Sequence, residues 1–217
     1  MKTVSNGERN SRRLRIWELA LLIGLAVFLL TGALSLRSQD QLADKVVRLH
    51  VLANSDSEED QALKLKVRDR VLERATELLE QAADRREAEA LLRGQLLELE
   101  EIAAEEIAAN GYDYPVSVEL EPTQFPTKEY DGFSLPAGSY RALRVVLGEG
   151  DGRNWWCVVF PPLCLSSVTE VADTALAAGL GEEDVRLITG ESGGYVVKFK
   201  CIELWEEFQG WLAGEAG

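Results

Sequence analysis

The chain has 217 residues, with 23 Lys plus Arg against 37 Asp plus Glu and a formal net charge of −14. The charge is uneven: residues 1–37 carry a net +4 and the remainder −18, so an acidic body without a basic stripe argues against nucleic-acid binding. At 46% apolar and 28% charged residues the chain is neither disordered nor wholly membrane-embedded.

Lys2, Arg9, Arg12, Arg13 and Arg15 precede an uncharged run over 19–36, LALLIGLAVFLLTGALSL. A helix of that length can just cross a bilayer core, and the cationic flank predicts that its N-terminus stays cytoplasmic. Ala33 and Ser35 have the spacing of a signal-peptidase site, whereas the length of the run suits a retained anchor. Both readings export the rest of the chain. The expected organisation is a basic flank with a signal peptide or signal-anchor over 1–37, a polar linker over 38–45 and an exported globular domain over 46–217.

The segment 46–53, VVRLHVLA, alternates: Val47, Leu49, Val51 and Ala53 form an apolar face opposite Val46, Arg48, His50 and Leu52, which predicts a strand. Asn54, Ser55, Asp56 and Ser57 then turn the chain. Ser57 with Asp60 matches a capping box opening a helix with Leu63, Val67, Val71, Leu72, Ala75, Leu78, Leu79 and Ala82 on one side and Lys64, Lys66, Arg68 and Arg70 on the other. A second helix is expected after Asp84, ending at Asn110-Gly111, with an acidic outer face. From Tyr112 the period drops to two, predicting a strand to Leu120. Prolines 122, 126 and 136 with Gly132 and Gly138 predict a long loop over 121–139. Two β-rich runs follow at 141–147 and 154–160, the second apolar throughout. A helix over 168–180, a strand over 195–201 and a short amphipathic helix over 204–212 complete the series. The order implies an α+β or α/β layered domain, a helix hairpin packed on a mixed sheet, preceded by one hydrophobic export helix.

The single histidine restricts the chemistry. His50 with Cys157, Cys164 or Cys201 would make a Cys–His pair, but no local signature surrounds any of these cysteines. One His and three scattered Cys lack zinc-ligand spacing, so no metal is expected. The acidic run from Asn54 fails the calcium-loop pattern, and no phosphate loop or nucleophile elbow occurs. No catalytic residue, cofactor or small-molecule substrate is expected. Cys157 and Cys164 bracket a Pro161-Pro162 turn that would bring them together as a disulfide, against the alternative of three buried thiols. Asn54, Ser55, Asp56, Asp60, Gln61 and Lys64, with His50, form a polar turn suited to partner contacts, against local capping for Ser57 and Asp60. Trp155 and Trp156 serve either as an aromatic anchor or as core.

The stretch RLHVLANSDSEEDQALKLKVRDRVL over 48–72 closely resembles the signature of the stage II sporulation protein R family. The resemblance continues through FPTKEY at 125–130, PAGSYRALRVVLGEG at 136–150 and NWWCVVFPPLC at 154–164, in the family's order. It implies a signalling protein made in the forespore of an endospore-forming bacterium and exported into the intermembrane space. There it would activate a membrane-embedded aspartic protease of the mother cell that processes pro-sigma-E. The rival readings are an extracytoplasmic cell-wall or thiol-dependent hydrolase using His50, and a structural linker between two membranes.

Overall fold

A computed structural model describes residues 6–164 and 170–190. The helix α1 (Asn6–Ala43) continues through most of the polar 38–45 stretch. The chain divides into two compact units, residues 1–41 and 42–217. In the first, Trp17, Leu19, Leu21, Leu22, Ile23 and Leu25 are all exposed. Among the described residues, no helix is long and apolar enough to cross a membrane.

The second unit is built on a four-stranded mixed sheet, order β2-β5-β1-β6, from β1 (Val47–Leu52), β2 (Val116–Phe125), β5 (Gly138–Leu147) and β6 (Asn154–Phe160). The strand β1 pairs parallel with β5 and antiparallel with β6, and β2 pairs antiparallel with β5. Alternation along β1 sends Val47, Leu49 and Val51 to one face, under α2 (Glu58–Leu79), α3 (Arg85–Gly94) and α4 (Leu96–Ala109). The apolar stripe of α2 fills this core with Leu63, Val67, Val71, Leu72, Ala75 and Leu79. The opposite face packs on β3 (Lys128–Tyr130), β4 (Phe133–Leu135), α5 (Val171–Ala177) and α6 (Glu182–Thr189) through Phe125, Phe133, Leu135, Tyr140, Val158 and Ile188.

Three expectations need correction. The helix expected after Asp84 is two helices, broken at Gln95, whose φ of −124° and ψ of 15° leave the helical region. The expected loop over 121–139 holds the second half of β2 and the β3–β4 hairpin. Pro122 is tolerated because β2 is an edge strand among the described residues, with β5 on one side only. The pairing with β5 continues from Val116–Leu147 to Phe125–Gly138. Finally, the helix expected over 168–180 is the shorter α5, and a further helix, α6, follows it. The strand expected over 195–201 and the helix over 204–212 lie outside the described residues.

Candidate functional site

The turn from β1 into α2 is organised by one carboxylate. Asp60, 4% exposed, accepts from Asn54 Nδ2 at 2.9 Å, Ser55 Oγ at 2.6 Å and Tyr114 Oη at 2.9 Å. Its backbone N–H donates to Ser57 Oγ at 3.1 Å, which caps α2. Only this half of the expected capping box forms: the Ser57 N–H goes to Ser55 Oγ at 3.2 Å, because the Asp60 carboxylate is already engaged. The Ser55 hydroxyl above all, then Asn54, Tyr114 and Ser57, hold the Asp60 carboxyl below its ordinary range, against the opposing effect of burial. Donation to that carboxylate raises the Tyr114 phenol in turn.

The β5–β6 connection is fastened to the same turn. Asn54 Oδ1 accepts from the Glu149 N–H at 3.1 Å, and Asp56 Oδ1 accepts from the Arg153 N–H at 2.8 Å. Backbone bonds from Asp151 to the Asn54 carbonyl, 3.2 Å, and from Gly152 to the Ala53 carbonyl, 3.0 Å, close the contact. Gly148, at φ +58°, lies against the Asn54 side chain, and Gly152 lies against the Ser55 carbonyl, so a Cβ at either would collide. Gln61 Nε2 donates to the Ser55 carbonyl at 2.8 Å. Lys64, placed on the solvated side of α2 by periodicity, is 4% exposed instead and donates to Gln61 Oε1 at 2.6 Å and the Arg153 carbonyl at 2.9 Å. Burial, reinforced by Arg153 and Arg68, pushes the Lys64 ammonium below its ordinary value.

The structure therefore gathers Asn54, Ser55, Asp56, Asp60, Gln61 and Lys64 into one network, with most of their hydrogen-bonding groups turned inward. Asp56 and Arg153 remain exposed, at 66% and 71% of their side chains, as a 3.6 Å ion pair. Beside them the Arg68 guanidinium lies 4.6 Å over the half-buried Trp155 ring. A rigid turn with this rim can present a charged and aromatic surface without ordering cost.

His50 and Trp156 belong to a different place. They pair across β1 and β6 on the opposite sheet face from Val51 and Leu49. His50 is 8% exposed, with Nε2 2.6 Å from Asn154 Oδ1, which assigns the ring proton to Nε2. Burial first, with Arg144 and Arg48 adding repulsion, lowers its pKa, opposed by the Asn154 hydrogen bond. Cys157 pairs with Leu49 and packs in the helix-side core, so it and His50 occupy opposite faces of the sheet. The Cys157 and Cys164 sulfurs are placed together as a disulfide with Cα atoms 6.2 Å apart, around the cis Phe160-Pro161 bond, and Cys164 Sγ accepts from the Val158 N–H at 3.1 Å. Cys201 lies outside the described residues. Among the described residues no group of three or more His, Cys, Asp and Glu side chains is placed to hold a metal ion.

Arg48 was missed as a site residue. Its alternation with His50 marked a more polar face, but that face is covered and Arg48 is fully buried. Its guanidinium lies 3.9 Å over Phe125 and 4.9 Å over Tyr140, with Nη2 donating to Tyr130 Oη at 2.7 Å. Burial lowers its pKa, opposed mainly by Tyr130 and Tyr140.

Residues 43–170, which contain the whole sheet, the β1–α2 turn and the cysteine pair, match the family model for stage II sporulation protein R. The chain belongs to the stage II sporulation protein R family. A relative, stage II sporulation protein R of Bacillus subtilis (strain 168), is 40% identical over 152 residues, covering 69% of this chain and 68% of the relative. No solved structure matches the chain. Membership in the stage II sporulation protein R family gives the chain a sporulation-related role, and the match spans both the Asp60 network and the Arg48 cluster.

Proposed function

We propose that this chain is an exported, non-enzymatic signalling protein of endospore formation. Made in the forespore, it acts from the intermembrane space on the membrane-embedded aspartic protease of the mother cell that processes pro-sigma-E. Membership in the stage II sporulation protein R family carries this reading. The cationic flank and uncharged run over 19–36 support export, and the exposed apolar side chains from Trp17 to Leu25 suit a bilayer or its surface. On the exported unit, the Asp56–Arg153 pair with Trp155 and Arg68 forms the contact surface, held in place by the Asp60 network.

The test is reconstitution in a non-sporulating host carrying the candidate protease and the sigma precursor. Precursor cleavage is expected only when this chain is co-expressed with its N-terminal segment, and it should persist in His50→Ala. Cleavage that is independent of the chain, or absent although the chain is well expressed and exported, overturns the reading.

A further inference from the structure

The face of the sheet opposite α2 holds a set of buried polar groups that the signalling reading does not use. Arg48 has no exposed surface, yet its Nε and Nη1 have no hydrogen-bond partner among the described residues. No ion pair involves its guanidinium among the described residues, although arginine cannot shed its charge in a protein. On the same face the atoms Trp156 Nε1, Thr123 Oγ1 and His50 Nδ1 are also buried and without a partner among the described residues. Native proteins rarely leave so many buried polar atoms unsatisfied in one place.

These groups surround a single aromatic ring. Phe125 lies 3.9 Å from the Arg48 guanidinium, 5.9 Å from the His50 ring and 6.5 Å from the Trp156 ring. Thr123 stands two residues before Phe125 on the same side of β2, paired with Tyr140. A second cation, Lys128 Nζ, lies 4.5 Å over Trp156. The cluster thus offers a guanidinium edge, an indole N–H, a hydroxyl and an ammonium, lined by Phe125 and Tyr140. A buried cation lacking a carboxylate calls for an anion, and the planar guanidinium fork matches a carboxylate. The aromatic lining favours a singly charged group on an apolar body over a strongly hydrated dianion.

We propose that the Arg48 cluster is a carboxylate-binding site, taking an acid with an apolar body from either a free organic acid or an acidic peptide side chain. Its cover is the β3–β4 hairpin, which supplies Tyr130 and Lys128 and shares no ladder hydrogen bond with the four-stranded sheet. Entry requires that hairpin to shift. The site is independent of which protein receives the signal.

The test is thermal unfolding of the full chain in a neutral detergent, at constant ionic strength, with chloride, phosphate, benzoate or the blocked dipeptide acetyl-Phe-Glu-amide. At about ten times the dissociation constant, a bound carboxylate should raise Tm by about 3–6 °C. In Arg48→Met, the rise should vanish. Trp156→Phe keeps an aromatic side chain but removes the indole N–H, and should weaken binding about fivefold, which preserves the test should the arginine variant fail to fold. A rise with benzoate alone assigns a free acid, and one with the dipeptide assigns a peptide side chain. No carboxylate-specific rise, a rise with phosphate only, or a rise undiminished in both variants overturns the proposal.

Discussion

Two buried polar clusters flank the strand β1, and they are satisfied very differently. At its C-terminal end, Asp60 is held by Asn54, Ser55 and Tyr114, and Lys64 by Gln61 and the Arg153 carbonyl. On the sheet face opposite α2, Arg48 of β1, Trp156 of β6 and Thr123 of β2 keep donors that no described group accepts. A saturated network rigidifies its surroundings, whereas an unsatisfied one carries a free-energy cost unless something else fills it. The first arrangement therefore builds the fold, and the second is available for a ligand.

The contrast is broken most forcefully at Asp60. Asp60→Asn removes the charge that three donors address, and is expected to cost about 2–4 kcal/mol, read as a drop in Tm. By contrast, Arg48→Met in the absence of ligand should leave Tm unchanged or raise it, because it replaces a buried cation that has no counter-ion among the described residues with an unbranched apolar side chain. A large loss at Arg48 would mean that both clusters are structural.

Gly152→Ala comes next. A Cβ there meets the Ser55 carbonyl, which must move, so a loss of about 1–3 kcal/mol is expected, along with weaker amide protection of residues 53–57 in hydrogen exchange. Protection unchanged by this substitution would show that the two turns are not coupled.

The pH dependence separates the clusters further. The pKa of His50 is lowered in the folded chain, so the unfolded chain binds its proton first as pH falls. Stability should decline below about pH 6.5 and level off below the folded pKa, by about 1 kcal/mol per pH unit at the steepest. His50→Gln should flatten this window. Asp60 acts lower: its depressed pKa contributes stability above the ordinary carboxylate range that is lost as pH falls through the folded value, and Asp60→Asn removes only that part. A decline near pH 6 that persists in His50→Gln would point to another group.

Asp56→Ala should have the smallest effect on the fold. Its ion pair with Arg153 and its hydrogen bond from the Arg153 N–H are both exposed to solvent, so about 1 kcal/mol or less is expected in unfolding experiments. Its effect on signalling should be larger, measured as precursor cleavage in the reconstituted host. Full cleavage by this variant would remove Asp56 from the contact surface.

Local chemistry made much of the helix-side architecture legible. Alternation in β1, the Ser57 cap, the stripe of α2 and the apolar run of β6 all read directly, because each follows from a period or a cap confined to neighbouring residues. Composition misled where pairing prevailed: Pro122 and Pro126 suggested a loop, yet ten residues of β2 follow β5. The polar turn from Asn54 to Lys64 is legible as a run of polar residues, but its partners Tyr114, Glu149 and Arg153 lie far along the chain, so spacing could not show that it faces inward.

By itself, then, the sequence determined the sheet-and-helix character of the body, the cationic flank before an uncharged run, and the motifs that place the chain in its family. These depend on nearest neighbours and short periods. Only the tertiary structure decided which polar residues are spent and which are spare. Arg48 and His50 look alike as alternating polar positions on one strand, and a period of two reports which face they share but not what covers it. The hairpin at 128–135, the helices α5 and α6 and the Phe125 ring bury that face, and their arrival there rests on long-range packing.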